Sequence, residues 1–156
     1  KIVSDALRRK KSDDALEIIA NFGDPMMPVC AGMLSSASKN CHVILAGGTQ
    51  MLAVLQLAKH IGYDAKNSAI GCTSYIIDDS QAKFLETLEQ IDKLAVLSCD
   101  PGLHNSQHFG FRSYADGFVK EGAGAGGAII ASLLKTENSV ENLFTLFEQE
   151  YKRIST

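Results

Sequence analysis

Between residues 41 and 98 short apolar runs alternate with longer amphipathic stretches, and this alternation constrains the fold more than any other feature. Cys41-His42-Val43-Ile44-Leu45-Ala46 is rich in β-branched residues and ends at Gly47-Gly48, the pattern of a strand buried on both faces. Thr49 then stands where a helix cap belongs. The helix it opens carries Met51, Leu52, Val54, Leu55, Leu57 and Ala58 and stops at Gly62. Residues 68–73 read as a second strand. Residues 80–91 read as a helix with Phe84, Leu85, Leu88 and Ile91 on one face, and Leu94-Ala95-Val96-Leu97-Ser98 as a third strand. A β-α-β-α-β order with short connections predicts an α/β fold, a three-layer αβα arrangement around a mainly parallel sheet of Rossmann-like type.

Helical patterns flank this unit. Residues 2–9, 13–22 and 28–39 precede it, the second opened by Asp13-Asp14 and closed by Gly23, the third bracketed by Pro25 and Pro28. After Asp100-Pro101-Gly102, helices are predicted at 105–117, 126–136 and 139–154, and no strand follows. This divides the chain into an α/β part, residues 1–120, and a small C-terminal helical part, residues 121–156. The apolar faces of the terminal helices (Leu143, Phe144, Leu146, Phe147) invite a partner, either the rest of a longer protein or a second copy in a homodimer.

Composition narrows the function classes. A net charge of −3, from 15 basic and 18 acidic residues, argues against nucleic acid or an anionic membrane as partner. The basic cluster Arg8-Arg9-Lys10-Lys11 runs straight into Ser12-Asp13-Asp14 and reads as a solvated helix end. No apolar run reaches membrane-spanning length and no signal peptide is visible, so the expected location is the cytoplasm. Cys30, Cys41, Cys72 and Cys99 form no Cys-x-x-Cys pair. They read as buried free thiols rather than a zinc site or a disulfide framework.

Ligands of parallel α/β sheets bind at the carboxyl ends of the strands. Three loops leave those ends: Gly47-Gly48-Thr49, Thr73-Ser74-Tyr75, and Ser98-Cys99-Asp100-Pro101-Gly102. The first could hold a phosphate or a planar ring, or be a plain turn with a threonine cap. His104 and His108 have the i, i+4 spacing of two ligands on one helix. Without a clear third ligand they read as a surface pair. Ser98 has no evident base partner that would make it a nucleophile.

The run Lys120-Glu121-Gly122-Ala123-Gly124-Ala125-Gly126-Gly127-Ala128 is the most distinctive local feature. Gly122-x-Gly124-x-x-Gly127 fits the dinucleotide fingerprint by letter, but no strand leads in and no βαβ unit follows. Two readings remain. The run is a glycine-rich helix packed closely on a neighbour, or a loop that brings the Glu121 carboxylate and a helix N-terminus to a ligand.

Three segments in order resemble the C-terminal half of the nicotinate-nucleotide:dimethylbenzimidazole phosphoribosyltransferase family. They are Phe22-Gly23-Asp24 through Ala31-Gly32-Met33-Leu34 with Val43-Ile44-Leu45-Ala46-Gly47-Gly48, then Ser98-Cys99-Asp100-Pro101-Gly102, then Lys120-Glu121-Gly122-Ala123-Gly124-Ala125. They are similar to the family's Val-Ile-Leu-Asp-Gly-Phe, Ser-Ala-Glu-(Pro/Lys)-Gly and Gly-Glu-Gly-(Ser/Thr)-Gly-Ala segments. The last is the most specific. The resemblance implies transfer of phosphoribose from nicotinate mononucleotide to a benzimidazole-type base, as in synthesis of the lower ligand of cobalamin, with no cofactor and no metal. It implies that Glu121 is the general base. It places Ser98, the backbone of Val119, and Gly47, Gly48, Gly122 and Gly124 against the substrates. It also implies that the chain is half of a longer enzyme whose other half cradles the 5′-phosphate. Lys120 for the family's glycine, and Ala46-Gly47-Gly48 for Asp-Gly-Phe, mark a divergent member. They leave room for a second reading, a non-catalytic nucleotide- or small-molecule-binding module of the same fold.

Overall fold

The computed structural model describes residues 14–118 and 124–155. The basic cluster at residues 8–11, the helix expected at 2–9, and Val119, Glu121 and Gly122 lie outside the described residues. Three strands, β1 (Val43–Ala46), β2 (Ser68–Thr73) and β3 (Ala95–Cys99), form one parallel sheet in the order β1-β2-β3. Val43 is in register with Ser68, and Ala69 with Ala95. The α/β expectation thus holds, with helical layers on both faces.

One layer holds α1 (Ala15–Phe22), α2 (Met26–Ala37), α3 (Gln50–Ile61), the single turn α4 (Ser74–Ile77) and α5 (Phe84–Ile91). Its core joins Ala31 and Leu34 of α2 to Val54, Leu55 and Ala58 of α3, Ile70 and Cys72 of β2, and Phe84 and Leu88 of α5. The helix boundaries follow local chemistry. Asp14 caps α1 by accepting from the Leu16 N–H at 2.8 Å. Asp24 does the same for Met26 at 2.8 Å, so α2 begins before Pro28 and not at it. Pro28 then sits in the first turn, where its missing N–H leaves no bond unmade. Thr49 does not cap α3 with its side chain, contrary to the sequence reading. Gly62 ends that helix at φ 91°, a left-handed value that glycine adopts without strain. The helix expected at 80–91 begins only at Phe84, as α5, after Lys83 at φ 46°.

The other face is covered by α7 (Gly124–Lys135), which lies across all three strands. A Cβ on Gly127 would come within 2.5 Å of the Ala46 Cβ and 2.9 Å of the Gly71 carbonyl oxygen. A Cβ on Gly126 would reach 2.6 Å from the Cys72 carbonyl oxygen and collide with the adjoining peptide. A Cβ on Gly71 would meet the Gly127 Cα at 2.7 Å. For residues 124–127 the packing reading of the glycine run therefore holds. Helix backbone rests on strand backbone, which no residue with a side chain permits.

Between β3 and α7 lie a 3₁₀ turn (Leu103–Asn105) and α6 (Phe109–Ala115), and α8 (Val140–Ile154) follows α7. Ser139 caps α8 by accepting from the Asn142 N–H at 3.2 Å. Among the described residues no helix is long and apolar enough to cross a membrane.

Candidate functional site

Two clefts open near the carboxyl ends of the strands. The larger, about 1150 Å³, runs along β1 and the starts of α3 and α7, and Gly47, Gly48 and Gly124 all line it. Three residues far apart in the chain are thus brought to one cleft. The cause is the glycine packing itself. Gly124 sits so close to the end of β1 that a Cβ there would be 3.3 Å from the Ala46 carbonyl oxygen. The Gly47 N–H donates to the Gly71 carbonyl at 3.0 Å and carries the β1–β2 ladder one step past the strand end. The walls are mostly apolar, with Met26, Met33, Val43 and Met51, and polar groups enter from Thr49, Gln50 and Asp79. No Lys, Arg or His is among the described residues that line it.

The smaller cleft, about 470 Å³, is lined by Tyr75, Asp78, His104 and Asp116, and shares Asp79 and Gln81 with the first. From Tyr75 a hydrogen-bonded network runs behind it and ties the ends of β2 and β3 together. Tyr75 Oη donates to Asp100 Oδ1 at 2.6 Å and accepts from the Leu103 N–H at 3.1 Å. Asp100 Oδ1 also accepts from the Gly102 N–H at 2.8 Å. Buried Thr73 pairs its hydroxyl with Tyr114 Oη at 3.1 Å. The rings of Tyr114 and His104 pack edge-on against Tyr75 at 5.9 and 5.0 Å. The Tyr75 hydrogen bond holds the Asp100 carboxyl below its ordinary range despite some burial. Burial, reinforced by Asp100, pushes the Tyr75 phenol up. Both groups therefore keep their neutral-pH states, a phenol donating to a carboxylate.

The two histidines expected on one helix face part company. His104 sits on the 3₁₀ turn with Nδ1 3.8 Å from Asp116 Oδ1, whereas His108 precedes α6 with Nε2 3.5 Å from Glu148 Oε2. Among the described residues no group of three potential ligands could hold a metal ion. His108, Phe111 and Tyr151 instead form an aromatic cluster, and Ser106 donates to Glu148, so α8 is fastened to α6.

Ser98 is exposed on β3 and lines neither cleft. Cys72 is buried and Cys30 and Cys99 are half-buried, but Cys41 is exposed, which corrects the uniform burial expected of the thiols. Burial, with a smaller contribution from Cys99, pushes the Cys72 thiol up to about 11, and burial also raises Cys99, so neither is a thiolate near neutral pH. Sequence reasoning marked the loops that bear Tyr75 and Asp100, but the pairing of Tyr75 with Asp100 and of Thr73 with Tyr114 depends on strand register.

Comparison with known proteins sets this geometry in a lineage. No family model matches the chain. It is similar to a UPF0284 protein of Methanopyrus kandleri, 38% identical over 90% of this chain and 37% of the relative. A UPF0284 protein of Methanosarcina mazei is 42% identical over 75% of this chain and 34% of its own length. A third, from Thermococcus kodakarensis, is 38% identical over 94% of this chain and 43% of the relative. The chain thus spans less than half the length of these curated relatives, and its homologues are the UPF0284 proteins of archaea and bacteria.

Proposed function

We propose that the longer protein to which this chain corresponds transfers phosphoribose from nicotinate mononucleotide to a benzimidazole-type base. The observation that carries the reading is the meeting of Gly47-Gly48 with Gly124 in one cleft. These residues come from the first and third of the segments that resemble the phosphoribosyltransferase family. Glu121 precedes Gly124 by three residues, and three trans peptide links reach at most about 11 Å.

The cleft suits the acceptor. Where β1 ends, glycine backbone and the Met51 side chain offer a flat heteroaromatic ring an apolar surface. In the reaction one ring nitrogen of the base forms a bond to C1′ of the donor as the bond from C1′ to the pyridinium nitrogen breaks. The electron pair of that bond returns to the nicotinate ring, which leaves neutral at nitrogen, and configuration at C1′ inverts. The other ring nitrogen of the base gives up its proton, and Glu121 accepts it. A carboxylate is a weak base in water, so its effectiveness depends on the apolar ring excluding water around it.

The test uses the full-length protein with nicotinate mononucleotide and 5,6-dimethylbenzimidazole, following release of nicotinate and formation of the α-ribotide phosphate. Glu121→Gln is expected to cut turnover by about 10²-fold or more with the melting temperature unchanged. Turnover near that of the parent would remove Glu121 from the role. Binding of the base without turnover in the parent would favour the binding-module reading.

A further inference from the structure

We infer that the open edge of β1 and the outer stripe of α2 form one continuous interface, covered in the longer protein by a parallel strand and a helix of the same polypeptide. The covering segments close the outer wall of the larger cleft at Met26, Met33 and Val43, and leave its end at Gly47, Gly48 and Gly124 to the proposed reaction. The sequence of β1, Val43-Ile44-Leu45-Ala46, is apolar on both faces, the pattern of a strand inside a parallel sheet. Yet among the described residues β1 ends the sheet, and no charge, proline or bulge protects its edge. In a parallel strand the N–H and C=O of one residue point the same way, and successive residues alternate. The Gly47 N–H points to β2. The amides of Ile44 and Ala46 therefore point away from it, toward the open side.

The neighbouring helix tells the same story. α2 buries Ala31 and Leu34 against the core, while Met26, Val29 and Met33 form a second apolar stripe at 36%, 60% and 65% exposure. That spacing is the mark of a helix packed on two sides. Met26 and Met33 line the same cleft as Val43 and Ile44, so stripe and edge are one surface.

The occupant is part of the same polypeptide because the homologous proteins are more than twice as long, this chain spanning 34% to 47% of them. A second copy set on a twofold axis would pair β1 with β1 antiparallel, whereas every pairing in this sheet is parallel.

Amide exchange in the full-length protein provides the test. The Ile44 and Ala46 amides should exchange at least 10³-fold more slowly than unstructured amides, and equally slowly after 100-fold dilution. Val29→Lys should lower the melting temperature of that protein by about 5 °C or more. Fast exchange at both amides would overturn the inference. So would protection that disappears on dilution, which would make a second copy the occupant. An unchanged melting temperature in Val29→Lys, or a natural polypeptide no longer than this chain, would also overturn it.

Discussion

Replacing Gly126 by alanine adds one methyl group and removes a helix-breaking residue from α7. On propensity alone the variant gains about 1 kcal/mol. The structure reverses that sign. The new Cβ would stand 2.6 Å from the Cys72 carbonyl oxygen and closer still to the Cys72–Thr73 peptide, and none of these atoms belongs to a flexible side chain. Ordinary contact needs about 3.5 Å, so α7 must lift from β2 by roughly 1 Å. Lifting it also loosens Gly127 from Ala46 and Gly71, and Ile129 and Ile130 from their buried positions. Overpacking of this kind costs about 3 kcal/mol, the upper end of its range, because the obstacle is backbone. The net loss is about 2 kcal/mol, or about 4–8 °C in melting temperature for a domain of this size. Gly32→Ala is the paired control. Gly32 lies mid-helix in α2 with nothing within 4 Å of a new Cβ, so that variant should gain about 0.5–1 kcal/mol. Urea unfolding followed by circular dichroism measures both. A Gly126→Ala protein as stable as its parent would refute the backbone-on-backbone account of α7.

Tyr75→Phe removes the donor to Asp100 and the acceptor for the Leu103 N–H, and should cost about 1–2 kcal/mol near pH 7. The Asp100 carboxyl is depressed in the folded state, so the stability it contributes is present above the unfolded value near 4 and fades as pH falls through the folded value. The gap between parent and Tyr75→Phe in denaturant midpoint should thus be full at pH 6–7 and narrow below about pH 4; a gap independent of pH would separate Tyr75 from Asp100. Thiol titration with a disulfide reagent at pH 7.5 should modify Cys41 first and leave Cys72 unmodified until the protein unfolds, since Cys72 is buried and its thiol protonated. Early modification of Cys72 would contradict its placement in the core.

The parallel sheet and most helices were legible because their signals are local. Apolar runs of four to six residues ended by glycine, and a helix face repeating from Met51 to Ala58, need no tertiary information. The misread boundaries have equally local causes. Asp24 outbids Pro28 for the start of α2, and the left-handed backbone of Lys83 delays the start of α5 to Phe84. The pairs across the clefts were not legible. Tyr75 with Asp100, and Thr73 with Tyr114, are 25 and 41 residues apart and meet only through strand register and the placing of α6. His104 and His108 show the opposite failure, since their spacing suggested a shared helix face that a 3₁₀ turn and a late helix start dissolve.

The glycine run explains why a dinucleotide fingerprint arises by letter in a chain whose topology excludes it. Gly124 and Gly127 are three apart, one helical turn, and both face the end of β1; Gly126 faces β2. The spacing of the fingerprint in a nucleotide fold likewise includes a glycine kept for close helix-to-strand packing. The same steric demand, helix backbone on strand backbone, thus selects the same letters from a different topology. Here the demand has a second consequence. Seating α7 directly on the strand ends brings its first residue, Gly124, beside Gly47 and Gly48, so the packing glycines also help to shape the larger cleft. Any residue with a side chain at 126 or 127 would lift the start of α7 from the strand ends by roughly 1 Å and draw Gly124 away from Gly47 and Gly48.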